Sequence, residues 1–479
     1  MFKTEQFSLQ KQYPTLLLFF ILGGSILLSF TPYWLDPTTL FDNKRFFIIF
    51  YLLCTAIVLL VSWSVREKVI VSLSTLSRTN GVLLASAVAA ATVANISSLY
   101  WVKSQAVFSY ALMLMIVTTL LTGVVLKYKD VILRLYVWLT FSIFLSVFLF
   151  HILATWQGDI PNYRYLFSFV NPRNINYVQV WLVLPLLYWA WTNKGKAKSW
   201  MFAIPVVIQF SLLFALDARG AIIASFTGII LWILLSEKKV EKLKWVLTLV
   251  ACGLLLKWLL FTPLPQYFIH GVWPDGQGEI RLSDSNRLNL WSNAIAMISF
   301  WGHGGDTFVC NNDVIAHSPH NSILLMAVEW GVITALCYIV LLLHTLYRVC
   351  KITNESVRIL GLTVLSGFAY SFISSVINAS MSQGFAAISV ALYWASVREV
   401  NTSEKESKSR LLSSKASTFS HLCLIFIALW SLIFIGYKTY QRIDNNQYRH
   451  IKLDYYMPQF WIEHNCMDAE PKLNLSSKL

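Results

Sequence analysis

Charged residues are scarce in this chain. Only 13% of its 479 residues are Asp, Glu, Lys or Arg, against about 25% in an ordinary soluble domain. With 56% hydrophobic residues and a mean hydropathy of +0.58, that scarcity excludes a soluble globular fold. Acidic residues are the rarer sign, 24 against 38 basic, for a formal net charge of +14. The basic residues are scattered between apolar runs, which excludes a nucleic-acid groove and fits short cytoplasmic loops of a membrane protein. Cysteines number 7, an odd count without CxxC or zinc-type spacing, so neither a disulfide scaffold nor a zinc ribbon is expected. No Asp-x-Asp pair of the kind that holds Mg²⁺ or Mn²⁺ on a diphosphate is present. An internal repeat of the kind that builds many transporters is also missing. The first apolar run, residues 15–30, has no small-x-small cleavage site and reads as a first span.

What the chain does have is a long series of apolar runs. A span needs about 20 mostly apolar residues. The runs predict thirteen helices, near 14–33, 46–63, 81–98, 106–126, 132–154, 175–191, 200–216, 219–235, 244–262, 322–346, 356–378, 383–398 and 418–437. The expected fold is an all-α polytopic membrane protein of about 12–13 transmembrane helices with one large periplasmic loop. With the N-terminus inside, the loops holding Arg66 and Lys68, Lys194 to Lys198, Lys238 to Lys244 and Lys405 to Lys415 are all cytoplasmic, as the positive-inside rule requires. The chain then divides into a bundle of about nine helices (1–262), an outer loop (263–321), C-terminal spans (322–437) and an outer tail (438–479). Residues 401–415 read as a flexible inner linker, and YYMPQFW in the tail as a surface-lying stretch.

The polar residues that could do chemistry concentrate between Thr262 and Thr334, in a loop dense in Gly, Pro, His, Arg and Asp. Loops of that length are usually functional or disordered, and Phe268, Trp273, Leu290, Trp291 and Phe308 argue for a folded one. His320, in HSPHNSILL, stands at the outer mouth of the tenth span, where Asn321 can cap the helix; an imidazole there can take a proton from a hydroxyl. Arg287 opens a short amphipathic helix, and Arg219 sits at the tight turn between the seventh and eighth spans. Guanidinium forks suit a diphosphate, although ion pairs with Asp284 and Asp217 would account for either one. Arg164 and Arg173, in NYRYLFSFVNPRNINYVQ, belong to the same outer side. Glu329 falls nine residues into the tenth span, about 13 Å along it, and an intramembrane carboxyl is a functional candidate. Gly304, in GHGGDTF, allows a close backbone approach. His303, Cys310, His317 and His320 share the loop without a metal-ligand spacing, so no metal is expected. Cys310 and Cys466, the two cysteines placed outside in soluble segments, could pair in an oxidising compartment.

This pattern resembles the bacterial O-antigen ligase superfamily, which also includes O-antigen polymerases and protein O-oligosaccharyltransferases. The superfamily's His, then Asn, Ser or Gln, then nine residues, then Gly-x-x-Gly or Thr is matched by His320-Asn321, SILLMAVEW and Gly331-Val332-Ile333-Thr334. Its upstream Arg, Trp and Ala helix with a Gly-x-Gly turn is matched by Arg287, Trp291, Ala294 and Gly302-His303-Gly304. Its Arg-Gly after an outer turn is matched by Arg219-Gly220. The resemblance implies a metal-independent, inverting glycosyltransferase of the membrane-embedded type, without cofactor, in the bacterial inner membrane with its site facing the periplasm. Its donor would be a glycan on undecaprenyl diphosphate, its acceptor a lipid A-core sugar or Ser/Thr of a protein such as a pilin. His320, Arg287 and Arg219 would be catalytic, and Arg173, Arg164, Asn321, His317, Gly304 and Glu329 substrate-binding. A polymerase of the same superfamily is the first alternative. A polysaccharide or lipid transporter is the alternative from another class.

Overall fold

A computed structural model describes residues 2–30, 37–158, 169, 172–217, 219–271, 273, 287–311, 318–402 and 414–444. Arg164, His317, Asp284, Cys466, most of the inner linker and the YYMPQFW stretch lie outside the described residues. Among the described residues every regular element is an α-helix and no strand occurs. In the first half these are α1 (Phe2–Leu28), α2 (Pro37–Val61), α3 (Trp63–Ser74), α4 (Arg78–Ile96), α5 (Trp101–Leu121), α6 (Lys129–Trp156) and α7 (Pro172–Thr192). Then come α8 (Trp200–Ala215), α9 (Arg219–Leu234), α10 (Lys239–Leu260) and the short α11 (Leu264–His270), α12 (Arg287–Ala296), α13 (Thr307–Asn311) and α14 (Ser322–Glu329). The chain closes with α15 (Gly331–Lys351), α16 (Glu355–Tyr370), α17 (Ser380–Thr402) and α18 (Ser414–Asp444).

Among the described residues, seven helices are long and apolar enough to cross a membrane by themselves, and three shorter apolar ones accompany them. The protein is an all-α polytopic membrane protein. All thirteen expected spans coincide with helices, but the tenth is two helices, α14 and α15. Two further differences have simple causes. Residues 63–74, expected as inner loop, form α3. Ser62 caps it by accepting from Val65 N at 3.3 Å, and Val65 and Val69, one turn apart, bury one face. The last helix also runs past the expected boundary at 437, because Lys438 is buried in it and ion-paired.

The centre of the bundle is α7, buried continuously from Ile175 to Leu187. A helix with no polar face has no reason to meet solvent. Two of its polar side chains bond to neighbouring helices: Gln179 Nε2 donates to Gln209 Oε1 at 2.9 Å, and Trp181 Nε1 to Ser382 Oγ at 2.8 Å. On α16, Gly367 lies against the Trp181 ring, where any side chain would collide. Close approach through small residues is how helices pack in lipid, where no hydrophobic drive holds them together.

The two ends of the bundle differ in character. At one end Lys129 Nζ meets Ser356 Oγ at 2.6 Å, Lys194 pairs with Glu241 at 2.9 Å, and Lys242 pairs with Glu355. At the other end lie the starts of α7, α9, α12 and α14 and the turn between α16 and α17. That second end carries the candidate chemistry.

Candidate active site

The His320 segment is built by hydroxyls and a helix cap. Asn321 Oδ1 accepts from Ile323 N at 3.0 Å and Leu324 N at 3.1 Å, which starts α14 and fixes the residue before it. His320 has φ +52°, a left-handed conformation that non-glycine residues adopt rarely and at a cost of roughly 1–2 kcal/mol. Its N–H donates to Ser318 Oγ at 2.9 Å. Its Nδ1 lies 2.7 Å from Ser375 Oγ, which is 3.0 Å from Ser318 Oγ. Ser375 belongs to the turn between α16 and α17. That turn is laced to α14 by Ser322 N donating to Ser371 O at 2.9 Å. Between them runs a narrow crevice lined by Ser318, Asn321, Ser322, Ser374, Ser375 and Asn378. Asn321 therefore has its oxygen committed to the cap while still bordering the crevice.

Three arginines each stand in the first turn of a helix: Arg173 on α7, Arg219 on α9 and Arg287 on α12. They are close enough to act on one another. Burial, then the Arg173 charge and more weakly that of Arg219, holds the Arg287 guanidinium below its ordinary value, against the opposing pull of Tyr177 and Tyr370. The Tyr177 and Tyr370 rings lie 5.6 Å apart, and Tyr370 is within electrostatic reach of Arg173 and Arg287. Gly220 sits against Tyr370: a Cβ there would be 2.5 Å from the ring. Arg219 has Asp217 at 3.5 Å, both more than 40% exposed, and an exposed pair of that kind contributes little. Gathered cations and converging helix N-termini both favour an anion. Ser374 Oγ donates to Tyr177 OH at 2.9 Å, and Trp291 Nε1 on α12 donates to Pro319 O at 2.9 Å. The elements that carry the arginines are thus tied to the His320 segment and its serine turn.

Residues 204–339 match the family model described as O-Antigen ligase. Over that segment the chain is similar to the O-antigen ligase family. The matched segment contains Arg219, Arg287 and His320; Arg173 and the serine turn lie outside it. No curated protein matches the chain.

Two short motifs of the O-antigen ligase pattern turn out to be one structural device. Gly302 (φ +82°) and Gly331 (φ +85°) cross backbone to backbone. His303 N donates to Val328 O at 3.0 Å, Gly304 N to Glu329 O at 2.7 Å, and Val332 N to Phe300 O at 3.2 Å. The Gly-x-Gly turn thus takes up carbonyls that the end of α14 leaves over, and Gly331 permits the break before α15. Gly304 is buried against Ser98 and Ser104, so its close approach is to the α4–α5 junction. Thr334 Oγ1 returns to Trp330 O at 2.8 Å, steadying the first turn of α15.

That break corrects the expected position of Glu329. At 21 residues, α15 crosses a membrane by itself, so Glu329 ends the short helix before the span instead of lying deep within it. It is buried, and burial followed by the nearby Asp306 carboxylate pushes its carboxyl well above the ordinary range. Lys438 of α18 ion-pairs with Asp306. Gly304 and Glu329 therefore belong to one cluster with Asp306 and Lys438, apart from the residues that line the crevice. His303 and Cys310 are also engaged elsewhere: His303 Nε2 meets Met297 O at 3.0 Å, and Cys310 is in a disulfide. Five other described cysteines are free; Cys466, the expected partner, lies outside the described residues.

Sequence reasoning missed Ser374, Ser375, Tyr177, Tyr370 and Lys438. The stretch 371–383, SFISSVINASMSQ, carried a signal: five serines, an Asn and a Gln interrupt what otherwise reads as spans 356–378 and 383–398.

Proposed function

We propose that this chain is a glycosyltransferase that moves a preassembled glycan from a polyprenyl diphosphate to an acceptor hydroxyl. His320 Nε2 removes the proton of the acceptor O–H as its oxygen attacks the anomeric carbon. The bond from that carbon to the diphosphate breaks on the opposite face, which inverts the centre. Charge growing on the departing diphosphate meets Arg219, Arg287 and Arg173, so neutralisation falls to fixed guanidiniums and helix starts without a metal. The observation that carries this reading is the joining of three first-turn arginines to His320 through Tyr177, Ser374 and the Trp291 contact. Undecaprenyl diphosphate as carrier, with a lipid A-core sugar or a Ser/Thr of a protein such as a pilin as acceptor, fits both the family and the site. The disulfide at Cys310 supports a periplasmic location for the loop, since structural disulfides persist in oxidising compartments.

In membranes of the native host, His320→Ala, Arg219→Ala and Arg287→Ala should each nearly abolish transfer while the protein accumulates normally. Loss of a general base removes about 10²–10⁴ in rate, and loss of one charge donor about 10²–10³. Arg→Lys variants should recover only part, because an ammonium does not fork across two oxygens. Transfer stopped by EDTA, or surviving in His320→Ala, would overturn these roles. Bound donor released unchanged on the other side would favour a transporter.

A further inference from the structure

A histidine that accepts a proton through Nε2 must carry its own hydrogen on Nδ1, and the partner of Nδ1 decides that tautomer. Here the partner is neutral: Ser375 Oγ, 2.7 Å away. A hydroxyl accepts from Nδ1–H only if its own proton has somewhere to go. Ser318 Oγ, 3.0 Å from Ser375 Oγ, provides the acceptor. Ser318 also takes the His320 backbone N–H, so the same oxygen holds the left-handed backbone and completes the chain.

The turn that carries Ser375 is anchored from behind. Arg45 of α2 donates through Nη1 to Gln383 Oε1 at 2.8 Å and through Nη2 to Asn378 O. Gln383 Nε2 donates to Ile377 O at 2.8 Å. Two consecutive carbonyls of the turn are thereby fixed by a buried guanidinium and an amide. One residue before Ser375, Ser374 reaches the opposite way and donates to Tyr177 OH, within electrostatic reach of Arg287. Adjacent side chains on one pinned turn therefore touch the base and the anion-binding side.

We infer that Ser375 is a positioning residue: its hydroxyl accepts Nδ1–H of His320 and keeps the Nε2 lone pair available to the acceptor hydroxyl. Ser374 holds the same turn in register with the arginines through Tyr177. Both lie beyond residues 204–339, the segment that matches the ligase family model. This inference rests on His320 as the base proposed above.

The test uses full-length protein labelled with ¹⁵N-histidine in lipid nanodiscs, without any substrate. The His320 ring signals are assigned by their loss in His320→Gln. The wild type should show Nδ1–H with Nε2 unprotonated. Ser375→Ala should lose that preference, Ser375→Thr should keep it, and Ser374→Ala should leave the tautomer unchanged. In native-host membranes, Ser375→Ala should lower transfer at least about tenfold, short of the roughly 10²–10⁴ expected for losing the base itself, and Ser375→Thr should restore it. An Nε2–H tautomer in the wild type, or a Ser375→Ala spectrum identical to it, overturns the inference whatever the activity. Undiminished transfer in His320→Gln instead removes the base role, and with it the need for positioning, while the tautomer result stands.

Discussion

Gly302 and Gly331 occupy one another's missing side-chain space: a Cβ on Gly302 would lie 2.5 Å from the Gly331 nitrogen, and one on Gly331 would lie 2.6 Å from the Phe300 oxygen. Both have left-handed backbone angles, so alanine suffers twice at each position, from φ and from backbone overlap. Gly302→Ala and Gly331→Ala should each destabilise the protein by at least about 1–3 kcal/mol. Because both changes damage the same crossing, the double variant should cost less than the sum. Thermal unfolding in detergent measures all three. Wild-type melting of either single variant would show that the crossing opens without penalty.

Lys438→Met should be among the most damaging changes outside the arginine site. It leaves the buried Asp306 carboxylate without its cation, and breaking a buried pair from one side costs about 3–5 kcal/mol. Adding Asp306→Asn should recover part of that loss, because the orphaned charge is then gone. No recovery in the double variant would mean that Lys438 acts by packing alone.

Glu329 gives a pH dependence of defined sign. Its folded carboxyl titrates above the unfolded one, so the folded protein holds a proton that unfolding releases. The stability this contributes is complete below the ordinary carboxylate range and is lost as pH rises through the raised folded value. Melting temperature should therefore fall across that interval in the wild type and fall less in Glu329→Gln, which mimics the protonated form. A steeper fall in the Gln variant would reverse the assignment.

Sidedness is tested by reporter fusions. Fusions at Gln277 and Ser476 should behave as extracytoplasmic and one at Glu404 as cytoplasmic. A cytoplasmic result at Gln277 would remove the arginine site from the compartment in which the proposed transfer takes place.

What could be read from the sequence was whatever one element carries by itself. His320-Asn321 announces a helix start because capping is local, and Arg219 and Arg287 stand out because guanidiniums are rare beside apolar runs. The thirteen apolar runs likewise announce their helices. The break at Gly331 was not legible, since LLMAVEWGVITAL is apolar apart from Glu329 and Thr334 and only Gly302, 29 residues earlier, gives the glycine its purpose. Ser375 was hidden for the same reason: a serine gains meaning from the imidazole it meets, and that partner lies 55 residues away in sequence. Lys438 looked like the first residue of a tail until its partner was found.

The pairing of Lys438 with Asp306 also has a consequence for the order of synthesis. The two residues are 132 positions apart, and ribosomes deliver the carboxylate first. During that interval the Asp306 carboxylate has no ammonium to answer it. Burial of Asp306 as an ion pair waits until the final helix has been inserted. The nascent protein therefore matures last at its loop, and a chain arrested before α18 would display that unfinished loop to proteases that survey newly inserted proteins.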